Sequence, residues 1–566
     1  MLAMHATSLR PRRSSSARPC GSGAWRPWLL AGALAAAQAA HAGASAQQAQ
    51  GLTEPSSGAT QVQRLIHPRL RLASAQQARA ALRAGVELLG PLGLPVPGVL
   101  RLEGAALAFE PVRPLAGCTR YTLAVGPAAP APTHASFTTA CSRWSEPVQI
   151  DDARTARRPD RGADAVQVAA SADGGAWAAW FQSDGRRSAI EASRLHPDTG
   201  SWQGPQRIDL RKGGGATLPA LATLADGRVL AAWLQDLHGH AAVLARVLGD
   251  DAHTPARRLD DPRLANSPTA VQLATDAAGN ALAVWQQAGR RHTEAWAAHW
   301  SAAQGRWSAP HRLDDAPAPD YAPVAAGAGD DQFVAAWERG AAGHERIAAS
   351  RWLGHGWSAA HLLSAPGVRA RRVTLALDAG GDLAVAWIQG DGVARRVALR
   401  RLRLADWSGA APRLLGGAGL RGPAVASALA LDPAGNIAVA WEQQTSAQGN
   451  YVIEAARWVR GMASPPAGER IDPRGQRNAG NPVLVSDPAG NLVCAWYQDT
   501  TQGLQVFAAR FDASDGNWQP AQLLSDPRGT VQASFPALAV DAAGSVTAAW
   551  QQYNGWRDIV VASRLP

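Results

Sequence analysis

Lysine and cysteine are nearly missing from this chain. Its 566 residues include 4 Cys, and Lys212 is the one lysine. So few cysteines exclude a disulfide-rich scaffold, and a hydrophobic content of 46% excludes a disordered chain. After the N-terminal region, no run approaches the roughly 18 apolar residues that a membrane helix needs. We therefore expect no transmembrane segment in the mature chain.

The excess of basic over acidic residues is concentrated at the N-terminus. Half of the net charge of +10 comes from five arginines within residues 1–42, a segment without acidic residues. The rest of the chain has no basic block interleaved with aromatic residues, so the sequence predicts no nucleic-acid binding. Motifs for zinc proteases, phosphate loops and serine hydrolases are missing, and Gly417-x-Gly419-x-x-Gly422 lacks a βαβ context. We expect no cofactor and no metal, and we assign no catalytic residue.

The first 42 residues have the pattern of a secretory signal peptide. A basic start precedes an apolar run over 28–37, and Ala40-His-Ala42 forms a small-residue cleavage pattern. Such a signal predicts export to the periplasm, the cell surface or the extracellular space. Residues 43–60 are mostly Ala, Gln, Gly and Ser, a composition typical of a flexible leader.

Residues 61–141 have short apolar runs separated by Pro and Gly, which predicts a small β-sandwich. The segment 74–90 is read equally well as a helix. The order of motifs over 102–111, 115–123 and 136–139 resembles the closing strands of the bacterial Ig-like domain of S-layer and other exported proteins. This resemblance implies a spacer or stalk.

Cys118 and Cys141 bracket the last two predicted strands of this module. In an exported protein an isolated pair predicts a disulfide, and closing a loop of this length contributes about 3 kcal/mol in the chain-entropy model. The alternative is two buried free thiols. Cys494 lies at a position that is apolar in the rest of the chain, which indicates a core residue.

The range 142–566 is built from repeats marked by a tryptophan that closes an apolar run. The spacings between these tryptophans are 53, 52, 52, 50, 54, 55 and 54 residues. Four short strands fit into each repeat, and this predicts an all-β, eight-bladed β-propeller. The tryptophans are Trp180, Trp233, Trp285, Trp337, Trp387, Trp441, Trp496 and Trp550.

The two ends of the array favour a closed ring over an open solenoid. The last repeat offers three strands, whereas residues 144–150 form an isolated fourth strand before the first repeat. If residues 144–151 complete the last blade, two exposed sheet edges disappear together. We therefore expect this segment to close the ring.

An aspartate precedes a glycine turn in each repeat. Between two apolar strands this pattern indicates a hairpin in which Asp caps its own turn, and a ring of calcium sites is the alternative. These residues are Asp173, Asp226, Asp276, Asp330, Asp378, Asp432, Asp487 and Asp541.

Seven repeats also have the sequence Trp-x-Gln, with Arg339 replacing Gln in the remaining repeat. Trp and Gln two residues apart share a face of a strand. An arginine follows most of these tryptophans by fourteen residues, as in Arg194, Arg351 and Arg401. If the hairpin turn lies seven residues after the tryptophan, the arginine lies directly across from the tryptophan on the neighbouring strand, within range of a cation–π contact. We interpret the repeated Trp, Gln and Arg side chains as the residues that pack between blades. The alternative is a ligand site that is repeated in each blade.

The turns 198–202, 304–307 and 515–518 resemble Asp-box turns of sialidase-like and lectin-like propellers, although they have Gly-x-Trp in place of the full motif. The resemblance implies a structural role for these turns. A sialidase-like site would need an arginine cluster, an Asp and a Tyr with a Glu partner at the propeller mouth. The array contains Tyr321, Tyr451, Tyr497 and Tyr553, and Tyr451 and Glu454 lie on opposite faces of one strand.

Two functional hypotheses remain from the sequence. The first is an exported, monomeric, non-catalytic propeller that binds a carbohydrate or a protein. The alternative is a glycoside hydrolase or polysaccharide lyase of the sialidase-like type. Tyr553, Trp556 and Arg557 in the last repeat are the predicted ligand-binding residues, because aromatic rings outside the repeat pattern suit sugar stacking and a guanidinium suits a hydroxyl.

Overall fold

The fold is described from a computed structural model that covers residues 52–126, 134–155, 157–183, 185–249, 253–263, 267–416, 422–446, 448–526 and 532–566. The expected signal peptide, residues 1–42, lies outside the described residues. The chain is all-β and consists mainly of four-stranded antiparallel sheets. No helix in these ranges is long and apolar enough to cross a membrane.

An N-terminal module precedes the repeats and contains two sheets, ordered β1-β3-β6-β5 and β2-β8-β7-β4. All of its strand pairs are antiparallel except β2 with β8. Its core lies between the sheets and includes Leu70, Leu88, Leu107 and Phe137. The elements are β1 (Leu52–Glu54), β2 (Ala59–Val62), β3 (Arg69–Arg71), α1 (Ala75–Ala84), β4 (Val86–Leu89), β5 (Gly98–Glu103), β6 (Ala106–Pro111), β7 (Arg120–Val125) and β8 (His134–Thr139).

The module differs from the sequence-based expectation in two places. Strand β1 and the first two residues of β2 lie inside the range 43–60 that we expected to be a flexible leader, because β1 pairs with β3 and β2 pairs with β8. The ambiguous segment 74–90 contains helix α1, which begins where the Ser74 hydroxyl accepts the amide proton of Gln77. The helix ends before Gly85, whose φ is +87°.

The predicted disulfide between Cys118 and Cys141 is confirmed. It joins the segment before β7 to the segment after β8. Cys494 is a free, fully buried thiol, as its apolar position predicted.

Eight sheets follow within the described residues after 143, and each begins with its innermost strand. Sheet 1 contains Ala163–Ala170, Ala176–Ser183, Ser188–Leu195 and Gln206–Arg207; sheet 2 contains Ala216–Thr223, Val229–Leu237, His240–Leu248 and Arg257–Arg258; sheet 3 contains Pro268–Thr275, Ala281–Ala288, Thr293–Ser301, Arg306–Trp307 and His311–Arg312; sheet 4 contains Asp320–Ala328, Gln332–Arg339, Arg346–Arg351 and His361–Leu362.

The remaining sheets repeat this order. Sheet 5 contains Ala370–Leu377, Asp382–Gln389, Arg396–Arg403 and Arg413–Leu415; sheet 6 contains Ala424–Leu431, Ile437–Gln444, Tyr451–Trp458 and Glu469–Arg470; sheet 7 contains Ala479–Ser486, Leu492–Thr500, Gly503–Asp512, Asn517–Trp518 and Gln522–Leu523; sheet 8 contains Gln532–Val540, Val546–Tyr553, Asp558–Leu565 and Val148–Gln149. Short 3₁₀ turns cover Ala153–Thr155, Pro159–Arg161 and Gly392–Ala394.

The first strands of consecutive sheets contact one another, and the first strand of sheet 1 also contacts the first strand of sheet 8. The predicted pairing of the segment 144–150 with the last repeat is confirmed, since Gln149 pairs with Val561 and Val148 pairs with Ala562. The last sheet therefore takes its outermost strand from the start of the array.

The repeated tryptophans fill the space between sheets. All of them are fully buried, and Trp180 packs against Ala549, Val560 and Ala562 of sheet 8. In the sheets with the Trp-x-Gln sequence, the indole N–H donates to the Gln side-chain oxygen over 3.0–3.3 Å. The Gln182 and Gln443 amides then donate to the carbonyls of Arg161 and Gly422 in the connections that enter the same sheets. Burial and these partners give the set a packing role.

The predicted position of the repeated arginines is wrong. Trp180 pairs with Glu191, whereas Arg194 pairs with Trp177, because the hairpin turns earlier than seven residues after the tryptophan. The guanidinium of Arg194 instead binds the Asp173 carboxylate of its own sheet at 2.5 Å. Arg457 with Asp432 and Arg564 with Asp541 repeat this ion pair at 2.6 and 2.9 Å.

Candidate functional site

The ring of sheets has two chemically different ends. Each first strand runs toward its Asp turn, so the Asp turns gather at one end of the ring and the strand beginnings gather at the other. Near the beginning of most first strands the register shifts and one residue has a positive φ, which marks a β-bulge. These bulge residues are Ala165, Leu218, Ala270, Ala322, Arg372, Asn481 and Phe535.

At the Asp-turn end, seven of the predicted aspartates hold their own turns, whereas the exposed Asp330 of sheet 4 follows Gly329 instead of preceding a glycine turn. Asp487 accepts the amide protons of Ala489 and Asn491 at 2.9 Å, and Asp541 accepts those of Ala543 and Ser545 at the same distance. Among the described residues, no group of three or more His, Cys, Asp or Glu side chains is placed to hold a metal ion. These carboxylates therefore act as turn caps.

The N-terminal module packs on this same end. The Arg510 guanidinium donates to the Gly117 carbonyl at 2.7 Å, and Arg64 donates to the Ala543 carbonyl at 2.6 Å. The Asn491 amide donates to the Thr119 hydroxyl at 3.0 Å. An apolar cavity of about 400 Å³ lies between the module and the turns of sheets 7 and 8. The module thus covers part of the Asp-turn end.

At the opposite end, side chains from one sheet hold the bulges of the next. The residue after the repeated tryptophan supplies the acceptor: Gln286 accepts the amide proton of Ala322 at 3.0 Å. Glu338 accepts that of Arg372 at 2.7 Å, and one oxygen of Glu442 faces the Asn481 amide at 3.4 Å. We use the name bulge rim for three sets of residues: the residue after each repeated tryptophan, each bulge residue, and the residue directly before each bulge.

Glu442 and Tyr497 meet at Gly480 on this rim. A Cβ on Gly480 would lie 2.8 Å from the Tyr497 hydroxyl oxygen and 3.0 Å from Glu442 Oε2. The residue directly before the bulge carries a side chain in other sheets, for example Tyr321 and Ser534. Gly480 therefore leaves open a small space that both oxygens border.

Burial and charge set the protonation of this pair. Burial raises the pKa of the Glu442 carboxyl, and the Asn481 amide and the charges of Arg372 and Arg395 partly offset the rise. Burial and the nearby Glu442 charge raise the pKa of the Tyr497 phenol. The phenol is therefore protonated at neutral pH, next to a carboxyl that exchanges its proton closer to neutrality than an exposed one does.

Arginines crowd the rim on sheet 5. Burial lowers the pKa of Arg371, and the positive charges of Arg369, Arg395 and Arg372 lower it further. Arg369 is neutralised by Glu345 at 2.7 Å and Asp391 at 3.1 Å. Arg372 is exposed, and Arg371 and Arg395 are half-buried. This sector of the rim therefore presents an excess of guanidinium groups, which suits an anionic group on a ligand.

Two more acidic residues complete the rim. Asp164 of sheet 1 is half-buried, and burial together with the charge of Asp558 raises its pKa despite the amide proton that Ala165 donates. Glu338 is the cross-strand partner of Tyr321, and burial raises its pKa as well. The rim thus holds several carboxyl groups whose pKa lies above that of an exposed carboxyl, so they keep a proton to higher pH.

Of the three predicted ligand-binding residues, Arg557 is misassigned. Its side chain is fully buried and pairs with the buried Asp151 at 2.5 Å, so it cannot meet a sugar hydroxyl. The sequence places Arg557 in the same loop as Tyr553 and Trp556, and it does not show the buried partner Asp151. Tyr553 and Trp556 are exposed, by 39% and 55% respectively.

Sequence reasoning missed Tyr497 and Glu442. The signal was the variable position directly after each repeated tryptophan, which holds Glu338, Glu442 and Tyr497 in three repeats. Recognising the pair also requires the knowledge that this position on one sheet reaches the bulge of the next. Tyr451, by contrast, lies at the start of a third strand and pairs with Gln444.

No family model and no curated protein matches the chain. Several solved structures share parts of its architecture at low identity. An ulvan lyase of polysaccharide lyase family PL25 is 13% identical, with a TM-score of 0.40, covering 75% of this chain and 94% of its own. An α-L-arabinanase of Penicillium chrysogenum is 11% identical, with a TM-score of 0.38 and coverages of 75% and 98%.

A protein of unknown function from Dyadobacter fermentans is 14% identical, with a TM-score of 0.38 and coverages of 75% and 98%. With TM-scores below 0.5, these similarities leave the activity to be argued from the site itself.

Proposed function

We propose that this protein is a carbohydrate-active enzyme, a glycoside hydrolase or polysaccharide lyase that acts at the bulge rim on a glycan bearing carboxylates. The observation that carries the proposal is the meeting of Tyr497 and Glu442 at Gly480, beside the arginines of sheet 5. Tyr497, Glu442, Asp164 and this arginine cluster supply the residue types that a sialidase-like site needs.

The arginines are assigned to substrate binding. A guanidinium group binds a carboxylate through two parallel hydrogen bonds, and its charge persists at every relevant pH. Arg372 and Arg395 both act electrostatically on Glu442. A uronate or similar acidic sugar held by these two arginines would therefore lie next to the carboxyl and phenol that perform the chemistry.

Tyr497 and Glu442 are assigned to proton transfer. In hydrolysis, the Tyr497 oxygen attacks the anomeric carbon while Glu442 accepts the phenolic proton, and the glycosidic bond breaks as an acid such as Asp164 protonates the departing oxygen. Water then attacks the anomeric carbon of the tyrosyl glycoside, its proton returns to that acid, and the Tyr497 oxygen leaves with the proton held by Glu442. In elimination, Glu442 removes the C5 proton next to the sugar carboxylate, the C4–O bond breaks as a C4–C5 double bond forms, and the Tyr497 phenol protonates the departing oxygen. The arginines stabilise the negative charge that develops on the carboxylate. Both reactions need an acidic sugar at the same place.

The test is incubation of the full chain with a panel of acidic polysaccharides. New reducing ends without ultraviolet absorbance indicate hydrolysis, whereas an absorbing unsaturated product indicates elimination. We expect Tyr497→Phe and Glu442→Gln to lower the rate by about 100-fold or more. Gln286→Ala serves as the control, because Gln286 also holds a bulge amide and lacks a charge.

Non-catalytic binding of a carbohydrate or protein is the second candidate. It is favoured by the fact that Gln286 and Glu338 hold bulge amides in the same way as Glu442 does, which is a purely structural task. In that case, the panel would show binding without any product. Tyr497→Phe would then leave every measured property of the protein except affinity unchanged.

The architecture proposed for this function is an exported monomer. Residues 142–566 form an eight-bladed propeller closed by 144–151, and residues 61–141 act as an Ig-like stalk. The Cys118–Cys141 disulfide indicates an oxidising environment, as in the periplasm, at the cell surface or outside the cell. This agrees with a signal peptide over residues 1–42, and N-terminal sequencing of the exported protein tests that cleavage.

A further inference from the structure

Sheet 8 exposes three aromatic side chains at the bulge end of the ring. Phe535 is 51% exposed, Tyr553 39% and Trp556 55%. The repeated tryptophan of the same sheet, Trp550, is fully buried. Exposing large apolar side chains to water costs free energy, and exposed apolar surface of this kind marks sites of interaction.

The turn that contains Trp556 is held in place by hydrogen bonds of its neighbours Asn554 and Arg557. The Asn554 side-chain oxygen accepts the amide protons of Trp556 and Arg557, both at 3.0 Å. The buried Arg557 guanidinium binds Asp151 and also donates to the carbonyls of Arg161 and Asp152 at 3.1 Å. Arg557 thus holds the turn in place while the indole ring stays in solvent.

The exposed rings adjoin the rim site. Phe535 is the bulge residue of sheet 8, and its ring lies 6.2 Å from the ring of Tyr497 in an edge-on arrangement. Gln532 pairs with Tyr553, at the end of the strand that leads into the Trp556 turn. The aromatic side chains therefore continue from Tyr497 outward over the edge of one sheet.

We propose that Phe535, Tyr553 and Trp556 form a platform on which the sugar rings of a polysaccharide chain stack after it leaves the rim site. The inference rests on the proposed function. It adds that the substrate is a long polysaccharide chain rather than a single terminal sugar. The apolar face of a sugar ring packs on an aromatic face, and an anchored ring loses little freedom when it does so.

Continuity with the rim favours a glycan chain over a protein partner at this platform. The exposed Gln532, which pairs with Tyr553, can meet the hydroxyls that project from the edges of sugar rings.

The test compares polymer and short substrates on the full chain. The probes are polygalacturonate and hyaluronate, each as a polymer and as its disaccharide, in affinity gel electrophoresis and in the product assay. Tyr553→Ala and Trp556→Ala should each weaken polymer binding about tenfold and leave disaccharide turnover within about twofold. Val393→Ala is the matched control, because Val393 is 54% exposed in the corresponding turn of sheet 5.

Each outcome supports or overturns one proposal. Unchanged polymer affinity in both platform variants overturns the platform, even if Tyr497→Phe abolishes cleavage. Weakened polymer binding in the platform variants, with no product from the wild type, supports the platform and overturns the enzyme. Failure of the wild type to bind either polymer counts against both.

Discussion

Arg557 and Asp151 form an ion pair whose two side chains are fully buried, with 2.5 Å between Nη2 and Oδ2. Arg557 belongs to sheet 8, whereas Asp151 follows the strand Val148–Gln149 that the start of the array contributes to that sheet. Burial raises the pKa of the Asp151 carboxyl, and the Arg557 charge opposes the rise. The pair therefore joins the two ends of the array at a point that is buried from solvent.

Removing one partner of this pair should be costly. Asp151→Ala leaves the Arg557 charge buried and uncompensated, which typically costs about 3 to 5 kcal/mol. Chemical denaturation monitored by tryptophan fluorescence measures the change. Asp152→Ala is the control, because the Asp152 carboxylate pairs with the exposed Arg154. Equal stability of the two variants would show that the pair does not hold the ends together.

Deleting residues 144–151 should open the last sheet. The deletion removes the strand that pairs with Val561 and Ala562, together with Asp151, and exposes a sheet edge to other molecules. We expect aggregation and a lower melting temperature, measured by light scattering and calorimetry. Monomeric elution with an unchanged melting temperature would argue that the segment is dispensable.

The repeat pattern predicted much of this architecture, because tryptophans at regular spacing must each fill one gap between sheets. The pairing of the isolated strand 144–150 followed from the missing strand of the last repeat. The arginine register could not be predicted, since it depends on where each hairpin turns, and Trp180 lies opposite Glu191 instead of Arg194. The Tyr497–Glu442 pair was hidden because its members belong to different sheets.

Filling the space at Gly480 should impair catalysis and spare the fold. In Gly480→Ala, the new methyl group displaces the ends of the Tyr497 and Glu442 side chains, which are free to move away. A displacement of about 1 Å at a reacting group lowers the rate by roughly 100-fold. Rates on the polysaccharide panel and melting temperatures are compared with those of Thr217→Ala, at the corresponding position of sheet 2. Wild-type rates in Gly480→Ala would show that Tyr497 and Glu442 take no part in the reaction.

Stability should fall as the pH rises toward 7 because of Asp320. Burial and the charge of Asp314 raise the pKa of this carboxyl from 3.8 to about 7 despite the opposing charge of Arg339. The folded protein therefore holds a proton that the unfolded chain releases near pH 4, and the stability this proton contributes is lost as the pH rises through about 7.

The substitution Asp320→Asn should remove this decrease in the free energy of unfolding between pH 4 and pH 7. Urea unfolding at pH 5 and pH 8 measures the difference. The exposed Asp330 supplies the control substitution, Asp330→Asn, which should keep the wild-type slope. A wild-type slope in Asp320→Asn would mean that this carboxyl is ionised in the folded protein at both pH values.

A crystal structure of Tyr497→Phe soaked with an acidic oligosaccharide would locate the substrate site. We expect a sugar at the bulge rim, with its carboxylate on Arg372 and Arg395 and its scissile bond next to Glu442. A sugar bound only at the Asp-turn end, beside the N-terminal module, would show that the bulge rim is not the substrate site.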